Sequence, residues 1–285
     1  MKPKTIQLDP GLYLVATPIG NARDITLRAL DVLASADVIA AEDTRTTRKL
    51  MDIHGIALNG RRLIPYHDHS GEAARAGVMK LIADGKSVAY ASEAGSPLIA
   101  DPGYALARDL ADGGHYVTVL PGASAPLAAL SLSGLPTDRF LFAGFPPAAK
   151  GARATWLAEL LPTPATLVFF ESAKRVHRLL DELCLAGEDG RRAAICRELT
   201  KKFEDVRRGS VAELAENLAD NPIKGEVVVI LDRPGDVQDE GAMEDMLKKA
   251  MADMSMKDAV NAVSQALGLP RRKVYQAALA MGRQG

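Results

Sequence analysis

The sequence predicts an α/β protein built from two sheet-and-helix units, followed by a small helical tail. Three observations carry this. Short apolar runs alternate with amphipathic stretches as far as Leu231. Pro- and Gly-rich text divides that alternation into two blocks. Beyond it, residues 241–285 lose the strand pattern and keep only helical periodicity. A chain of 285 residues accommodates about two ordinary domains.

In the first block, GLYLVAT, DVIAAED, RRLIPYH, KSVAYAS and HYVTVL have the composition of strands. ITLRALDVLASA, GEAARAGVMKLIADG and GYALARDLADGG lie between them with helical spacing. This order predicts a mostly parallel sheet with helices on its faces. The segment GLPTDRFLFAGFPPAAKGAR predicts a crossing into the second unit and then a mobile loop. DRFLFAG, TLVFFES, RRAAICREL, FEDVRRGS and GEVVVILD supply the second set of strands, with SAKRVHRLLDELCLAG and VAELAENLADN as helices. RPGDVQDEG is polar and turn-rich, as a linker is. The expected boundaries are therefore 11–135, 136–233 and 241–285. In the tail, Met243 to Met251 predicts one helix. Ser255 and Asp258 have capping-box spacing at the start of a second. Gly268 ends that helix and Pro270 sits near the start of a third, giving a helix-turn-helix-like tail.

Composition excludes some classes. A net charge of -1 gives no global attraction to nucleic acid or membrane, so RNA binding would depend on local basic patches. Cys184 and Cys196 form no CxxC pair, and no histidines stand at ligand spacing, which predicts a reduced cytoplasmic protein without a structural metal. The N-terminus has no basic segment leading into an apolar core, so no signal peptide is expected. No apolar run reaches the roughly 18 residues of a membrane span.

Gly85-Lys86-Ser87 imitates the end of a phosphate-binding P-loop, but Lys80 stands where its first glycine belongs and a strand follows instead of a helix. No GxGxxG occurs either. The first strand instead runs into Thr17-Pro18-Ile19-Gly20-Asn21. One reading is a strand stopped by a proline turn. The other is a wall for an uncharged or cationic ligand, because a loop poor in free N–H groups is a weak phosphate cradle. Glu93-Ala94-Gly95-Ser96 and Pro121-Gly122-Ala123-Ser124-Ala125 follow two more strands. Ligands bind at such carboxyl ends, and small residues let them approach the backbone. Glu93 has the chemistry to face a cation or a ribose hydroxyl, Asp101 to cap the next helix, and Ser124 to cap a helix or offer its hydroxyl to a ligand. The three loops should lie side by side. Two charged strand ends, Ala41-Glu42-Asp43-Thr44-Arg45 and Cys196-Arg197-Glu198-Leu199-Thr200-Lys201-Lys202, read either as solvated faces or as cleft linings whose basic residues meet phosphates. Arg271-Arg272-Lys273 opens the last helix against its dipole, either as a solvated end or as a site for an anionic partner such as RNA.

LYLVATPIGN, ITLRAL, AAEDTRTT, AGSPLIADPGY, PGASA, GLPTDRF, RELTKKFE and KGE occur here in that order. Together they resemble the tetrapyrrole methylase superfamily, and within it the bacterial small-subunit ribosomal RNA methyltransferase I family. The resemblance covers about Gly11 to Leu231 and extends to the tail. It implies two α/β domains with S-adenosylmethionine in the cleft between them. The implied cofactor contacts are Pro18, Ile19 and Gly20 from the first loop, and Glu93, Ala94, Gly95 and Ser96 from the second. Ser124 and Ala125 follow from the third loop, and Phe170 and Arg197 from the second domain. Glu93, Ser96 and Ala173-Lys174 stand where the family usually has Asp, Thr and a Pro-His pair. The implied reaction is methylation of the 2′-hydroxyl of a cytidine in the decoding region of small-subunit (16S) ribosomal RNA, by a homodimer acting on the RNA or the assembled subunit. Glu198 and Lys201 are the candidates to take the hydroxyl proton, Lys201 equally a phosphate contact, and Arg45 a residue to hold a neighbouring phosphate. Two alternatives stay open: a methylase of this fold acting on a tetrapyrrole or diphthine-type substrate, and a non-catalytic nucleic-acid-binding regulator.

Overall fold

The computed structural model describes residues 3–67, 70–99, 103–234, 243, 246–252, 254–267 and 271–282. The first sheet contains β1 (Gly11–Val15), β2 (Val38–Ala41), β3 (Arg62–Pro65), β4 (Ser87–Ala91) and β5 (Val117–Leu120). Their order is β3-β2-β4-β1-β5, and every pairing is parallel. β1, β2 and β4 are buried along their whole length, which is why they read as unbroken apolar runs rather than alternating ones. α1 (Leu27–Ser35), α2 (Thr44–Ile53), α3 (Gly71–Ala83) and α4 (Tyr104–Asp112) cover the two faces. Thr26 caps α1 by accepting the Ala29 amide, and Asp43 caps α2 by accepting the Arg45 and Thr46 amides. α2 was not evident as a helix in the sequence because it buries only Thr47, Leu50 and Met51. Gly85-Lys86-Ser87 forms a turn into β4, as the order of elements required, and the Ser87 hydroxyl bonds Asp37 rather than any phosphate.

The second sheet contains β6 (Phe140–Gly144), β7 (Thr166–Ser172), β8 (Arg192–Arg197), β9 (Asp205–Ser210) and β10 (Glu226–Leu231), ordered β6-β7-β10-β8-β9. Only β6 and β7 are parallel; the other pairs are antiparallel. α6 (Lys150–Leu160), α7 (Val176–Leu185) and α8 (Val211–Asp220) pack on one face through Leu157, Leu179, Leu183 and Leu214. A full capping box between Ser210 and Glu213 starts α8.

The other face is covered by α5 (Ala125–Ser133), which follows the last strand of the first sheet. Ala129 and Leu130 pack on Val168, Ala194, Cys196, Val228 and Ile230. The helix within the sequence segment 11–135 thus completes the core of the second sheet and ties the two units together.

The loop expected over FPPAAKGAR ends at Ala149, where α6 begins, so its second half is helix rather than a mobile segment. The cause is a charge the sequence gives no reason to bury. Arg153 is 1% exposed and grips the Glu182 carboxylate at both oxygens, the Nη2 bond being 2.9 Å. Its remaining guanidinium nitrogen donates to the Pro147 carbonyl, while Arg175 donates to the Pro146 and Pro147 carbonyls.

The tail has its own small core of Met243, Leu247, Val260, Val263, Val274 and Ala278. Residues 246–252 are helical, followed by helices Met256–Leu267 and Arg271–Gly282. The capping box is half formed. The Ser255 hydroxyl accepts the Asp258 amide at 3.2 Å, but it donates to the Asp258 carboxylate instead of leaving that group to its own amide. Asp101, Gly268 and Pro270 lie outside the described residues. Among the described residues no helix is long and apolar enough to cross a membrane.

Because Arg153 is sealed in, Glu182→Ala should leave an uncompensated buried charge and cost about 3–5 kcal/mol. Thermal melts should show that loss, whereas the double replacement Arg153→Met with Glu182→Leu should recover most of it. A single variant with a wild-type melting temperature would refute the role of the pair.

Candidate active site

The parallel order β4-β1-β5 places the carboxyl ends of three neighbouring strands together. Their loops lie side by side, as the sequence predicts. Thr17 and Gly95 exchange two backbone hydrogen bonds of 3.0 Å, joining the first loop to the second. The Ser96 hydroxyl donates to the Ala123 carbonyl at 3.2 Å, joining the second to the third. The Thr17 and Gly95 amides are therefore used on each other, the Glu93 amide donates to the Glu42 carboxylate at 3.0 Å, and Pro18 has none. Thr17, Pro18, Glu93 and Gly95 therefore offer a ligand no free N–H.

The opposite wall comes from the second domain. The loop after β8 carries Glu198 and Thr200 at φ 50° and 63°, a left-handed backbone that non-glycine residues adopt only when the surroundings hold it. The holding contacts come from both domains. The Thr200 hydroxyl accepts the Asn21 amide at 3.1 Å. Glu198 Oε1 accepts the Glu226 amide at 3.0 Å and Lys201 Nζ at 3.1 Å, and Lys201 Nζ also reaches Glu226 Oε2 at 2.7 Å. A Cβ on Gly20 would stand 2.5 Å from Lys201 Cγ and 2.9 Å from the Leu199 carbonyl.

Between these walls is a cavity of about 370 Å³. Its size lies within the range of small-molecule sites. Ile19, Ala94, Ala125 and Leu199 make part of the lining apolar. Phe170 and Phe145 add aromatic surface, their rings 5.2 Å apart between centroids. Glu42, Glu93 and Glu226 add carboxylates. A side pocket of about 50 Å³ is bordered by Gly95, Ser96 and Ser124. Ser124 occupies the cap position of α5 without a capping bond, so the helix does not use its hydroxyl.

The electrostatics follow. Burial raises the pKa of Glu93, and Glu42, Asp43 and Glu226 raise it further, so the site favours either a proton or a cation at Glu93. Burial opposes the charge on Lys201, but its bonds to Glu226 and Glu198 outweigh burial and raise its pKa. The Glu226 amide and Lys201 hold Glu198 below its usual value. Asp43, bonded by the Arg45 side chain and by the Arg45 and Thr46 amides, falls to about 2.

Most sequence-predicted residues meet here. Ile19, Glu93, Ala94, Ala125 and Phe170 line the main cavity, Gly95, Ser96 and Ser124 the side pocket. Gly20 makes the close approach to Lys201, and Pro18 follows the Thr17 bridge without lining the cavity. Arg197 is not among the lining residues. Its Nε donates to the Lys224 carbonyl, and its neighbour Cys196 lines the cavity instead, because side chains alternate along a strand. Glu198 and Lys201 are likewise absent from the lining and stand beside it through Leu199 and Glu226, and Lys201 is an ammonium held by two carboxylates rather than the neutral amine that could take a proton. Arg45 is 91% exposed and paired with Asp43 at 3.0 Å, so it does not enter the cavity. Sequence reading missed Phe145, Glu171, Glu226, Val227 and Val228 as lining residues, while Cys196 and Leu199 stand in the strand-end run for which a cleft lining was one of the two readings. Glu226 ends the KGE motif, which gave no sign of a lining role; it, Val227 and Val228 arrive because β10 inserts between β7 and β8. Glu42 did carry a signal, as a carboxylate ending an apolar strand.

Among the described residues no group of three or more His, Cys, Asp or Glu side chains is arranged to hold a metal ion. The cavity suits a ligand with a flat aromatic part, for Phe170 and Phe145, and a positive centre, for the carboxylates.

Comparison with known proteins adds to this geometry. A family described as Tetrapyrrole (Corrin/Porphyrin) Methylases matches residues 11–215, and one described as RsmI C-terminal HTH domain matches residues 237–282. The chain is 46% identical over 272 residues to "Ribosomal RNA small subunit methyltransferase I" of Mesorhizobium japonicum, covering 94% of this chain and 91% of that relative. A crystal structure of diphthine synthase aligns with TM-score 0.61 at 18% identity, covering 78% of this chain and 89% of that one. A crystal structure of uroporphyrin III C-methyltransferase from Thermus thermophilus, complexed with S-adenosyl homocysteine, aligns with TM-score 0.54 at 21% identity, covering 78% and 97%.

Two outcomes test the geometry. The raised pKa of Glu93 means that stability is lost as pH climbs from the ordinary carboxylate range through the folded value. Glu93→Gln should therefore melt higher than the wild type at neutral pH, with the difference vanishing in acid; a difference independent of pH would refute this. Gly20→Ala should lower the melting temperature through overpacking worth about 1–3 kcal/mol, and an unchanged melt would show that the two loops are free to part.

Proposed function

This chain belongs to the ribosomal RNA small subunit methyltransferase I family of the tetrapyrrole methylases, and from that membership we propose that it methylates the 2′-hydroxyl of a cytidine in the decoding region of small-subunit ribosomal RNA, using S-adenosylmethionine. The observation that carries the reading is the cavity itself: aromatic on one side and rich in carboxylates on the other. Its lining fits an adenosyl sulfonium, with Phe170 and Phe145 offering surface to the base and Glu93, Glu42 and Glu226 offering negative charge to the positive end. A phosphate-bearing cofactor would meet those carboxylates with repulsion.

When bound, S-adenosylmethionine supplies a methyl carbon already activated by a positive sulfur. The protein's task is then alignment of the ribose oxygen, and positioning of this kind is worth about 7–11 kcal/mol of barrier. Glu198 is the proton acceptor in this proposal. Its lowered pKa makes it a weak base but keeps it ionised, and a hydroxyl that has begun to bond carbon needs only a weak base. Lys201 orients Glu198 and meets a phosphate when it swings from Glu226, which is 80% exposed. Arg45 stands outside the cavity with its guanidinium in solvent, suited to a flanking phosphate. Arg271 and Arg272 open the last helix in exposed positions and offer the RNA a second charged contact. The tail match to the RsmI C-terminal HTH domain favours RNA over a tetrapyrrole or diphthine-type substrate. We take the active form to be a homodimer in the cytoplasm.

Small ribosomal subunits incubated with the protein and methyl-labelled donor should acquire label in their RNA, at a linkage resistant to alkali as a blocked 2′-oxygen is. Glu198→Gln should lower kcat by about 10²-fold or more with donor affinity kept. Absence of donor uptake in calorimetry would overturn the reading, and undiminished turnover by Glu198→Gln would remove the proton acceptor.

A further inference from the structure

The loop that holds Glu198 and Lys201 also displays two side chains for which that chemistry has no use. Phe203 is 62% exposed, and Lys202 stands over its ring with Nζ 5.5 Å from the centroid. Lys202 has no ion-pair partner among the described residues. A phenylalanine at the surface is unremarkable on a loose loop, where it can fold down. This loop cannot relax in that way. The Thr200 amide donates to the Glu204 carboxylate at 2.7 Å, and the Glu204 amide donates to the Lys201 carbonyl at 3.2 Å, closing the turn on both sides of Phe203. Glu198 and Thr200 hold left-handed backbone within it. Gly20 presses on it from the first domain, and a Cβ at Gly225 would collide with the Glu198 carboxylate on the other side. The loop therefore presents an aromatic face and a cation from a clamped backbone, four residues beyond cavity-lining Leu199.

We propose that Phe203, with Lys202, is a stacking platform for an unpaired base of the RNA substrate, seating the strand at the cavity mouth. This rests on the RNA reading above. Single-stranded RNA is bound by this pair of features, an aromatic ring for the base and a cation for the backbone. A ring carried on a held backbone loses less freedom on binding, and the interlocked loop provides that backbone. The platform acts on the RNA and not on the methyl donor, since neither residue lines the cavity.

The test uses the full-length chain, a short single-stranded RNA and isolated small subunits. Phe203→Ala should weaken binding of the RNA and lower kcat/KM for subunits by about 5- to 100-fold, chiefly through KM, with donor affinity by calorimetry unchanged. Phe203→Tyr should restore most of the loss. Trp156 is the chain's one tryptophan, so Phe203→Trp adds a reporter whose fluorescence should be quenched by RNA well beyond any change in the wild type. RNA affinity and kcat/KM of Phe203→Ala within twofold of wild type, or an unquenched Phe203→Trp, would overturn the platform. A change in oligomeric state of Phe203→Ala by light scattering, with RNA affinity kept, would assign the ring to an interface between copies and overturn it too. Failure of the wild type to methylate any RNA would instead fall on the function proposed above, and the quenching of Phe203→Trp would still decide the platform.

Discussion

Gly20 has no side chain, and the loop after β8 occupies the space that one would fill. That contact is the constraint on which the site depends. It brings the end of β1, which lies between β4 and β5 in the first sheet, against the loop that carries Glu198 and Lys201. The Asn21 amide bonds the Thr200 hydroxyl across the same gap. Left-handed backbone at Glu198 and Thr200 is costly in isolation. It persists because the Gly20 loop packs on one side of it and the Glu226 amide binds on the other. The two halves of the cavity are thereby held at one separation, as a transfer between two aligned atoms requires.

A second constraint is charge. A cavity lined by Glu42, Glu93 and Glu226 attracts a cation, yet the proposed substrate is a polyanion. The surroundings reconcile these demands by placing the positive charges on the outside. Lys201 bridges Glu198 and Glu226 at the edge, Arg45 sits beyond Asp43, and Lys202 lies further along the loop. In the reaction proposed above, carboxylates inside and cations at the rim would sort a sulfonium from a phosphodiester by depth.

The third structural element is α5. It leaves the first sheet after β5 and spends its apolar face on the second, where Leu130 meets Val168, Cys196 and Ile230. Ser124 and Ala125, at its start, also border the side pocket. One helix therefore seals the core of the second domain and delivers the third loop of the site. Arg208, which bonds the Leu132 and Ser133 carbonyls, fixes the far end of the same helix.

Sequence alone determined the strands and most helices, because burial writes itself into local patterns: runs such as SVAYA and EVVVIL are buried along nearly their whole length. It determined the three loops of the first domain too, since strands in a parallel sheet must all end on one side. α2 and α6 escaped because their burial is narrow, and in α6 it includes an arginine whose partner Glu182 lies on another helix. Tertiary structure alone decided the second wall. Strand order there is antiparallel and non-sequential, so Glu226, Val228 and Cys196 become neighbours through hydrogen bonds that no linear spacing encodes. It also decided what holds the Lys201 ammonium, two carboxylates 3 and 25 residues away that meet it together only in the fold.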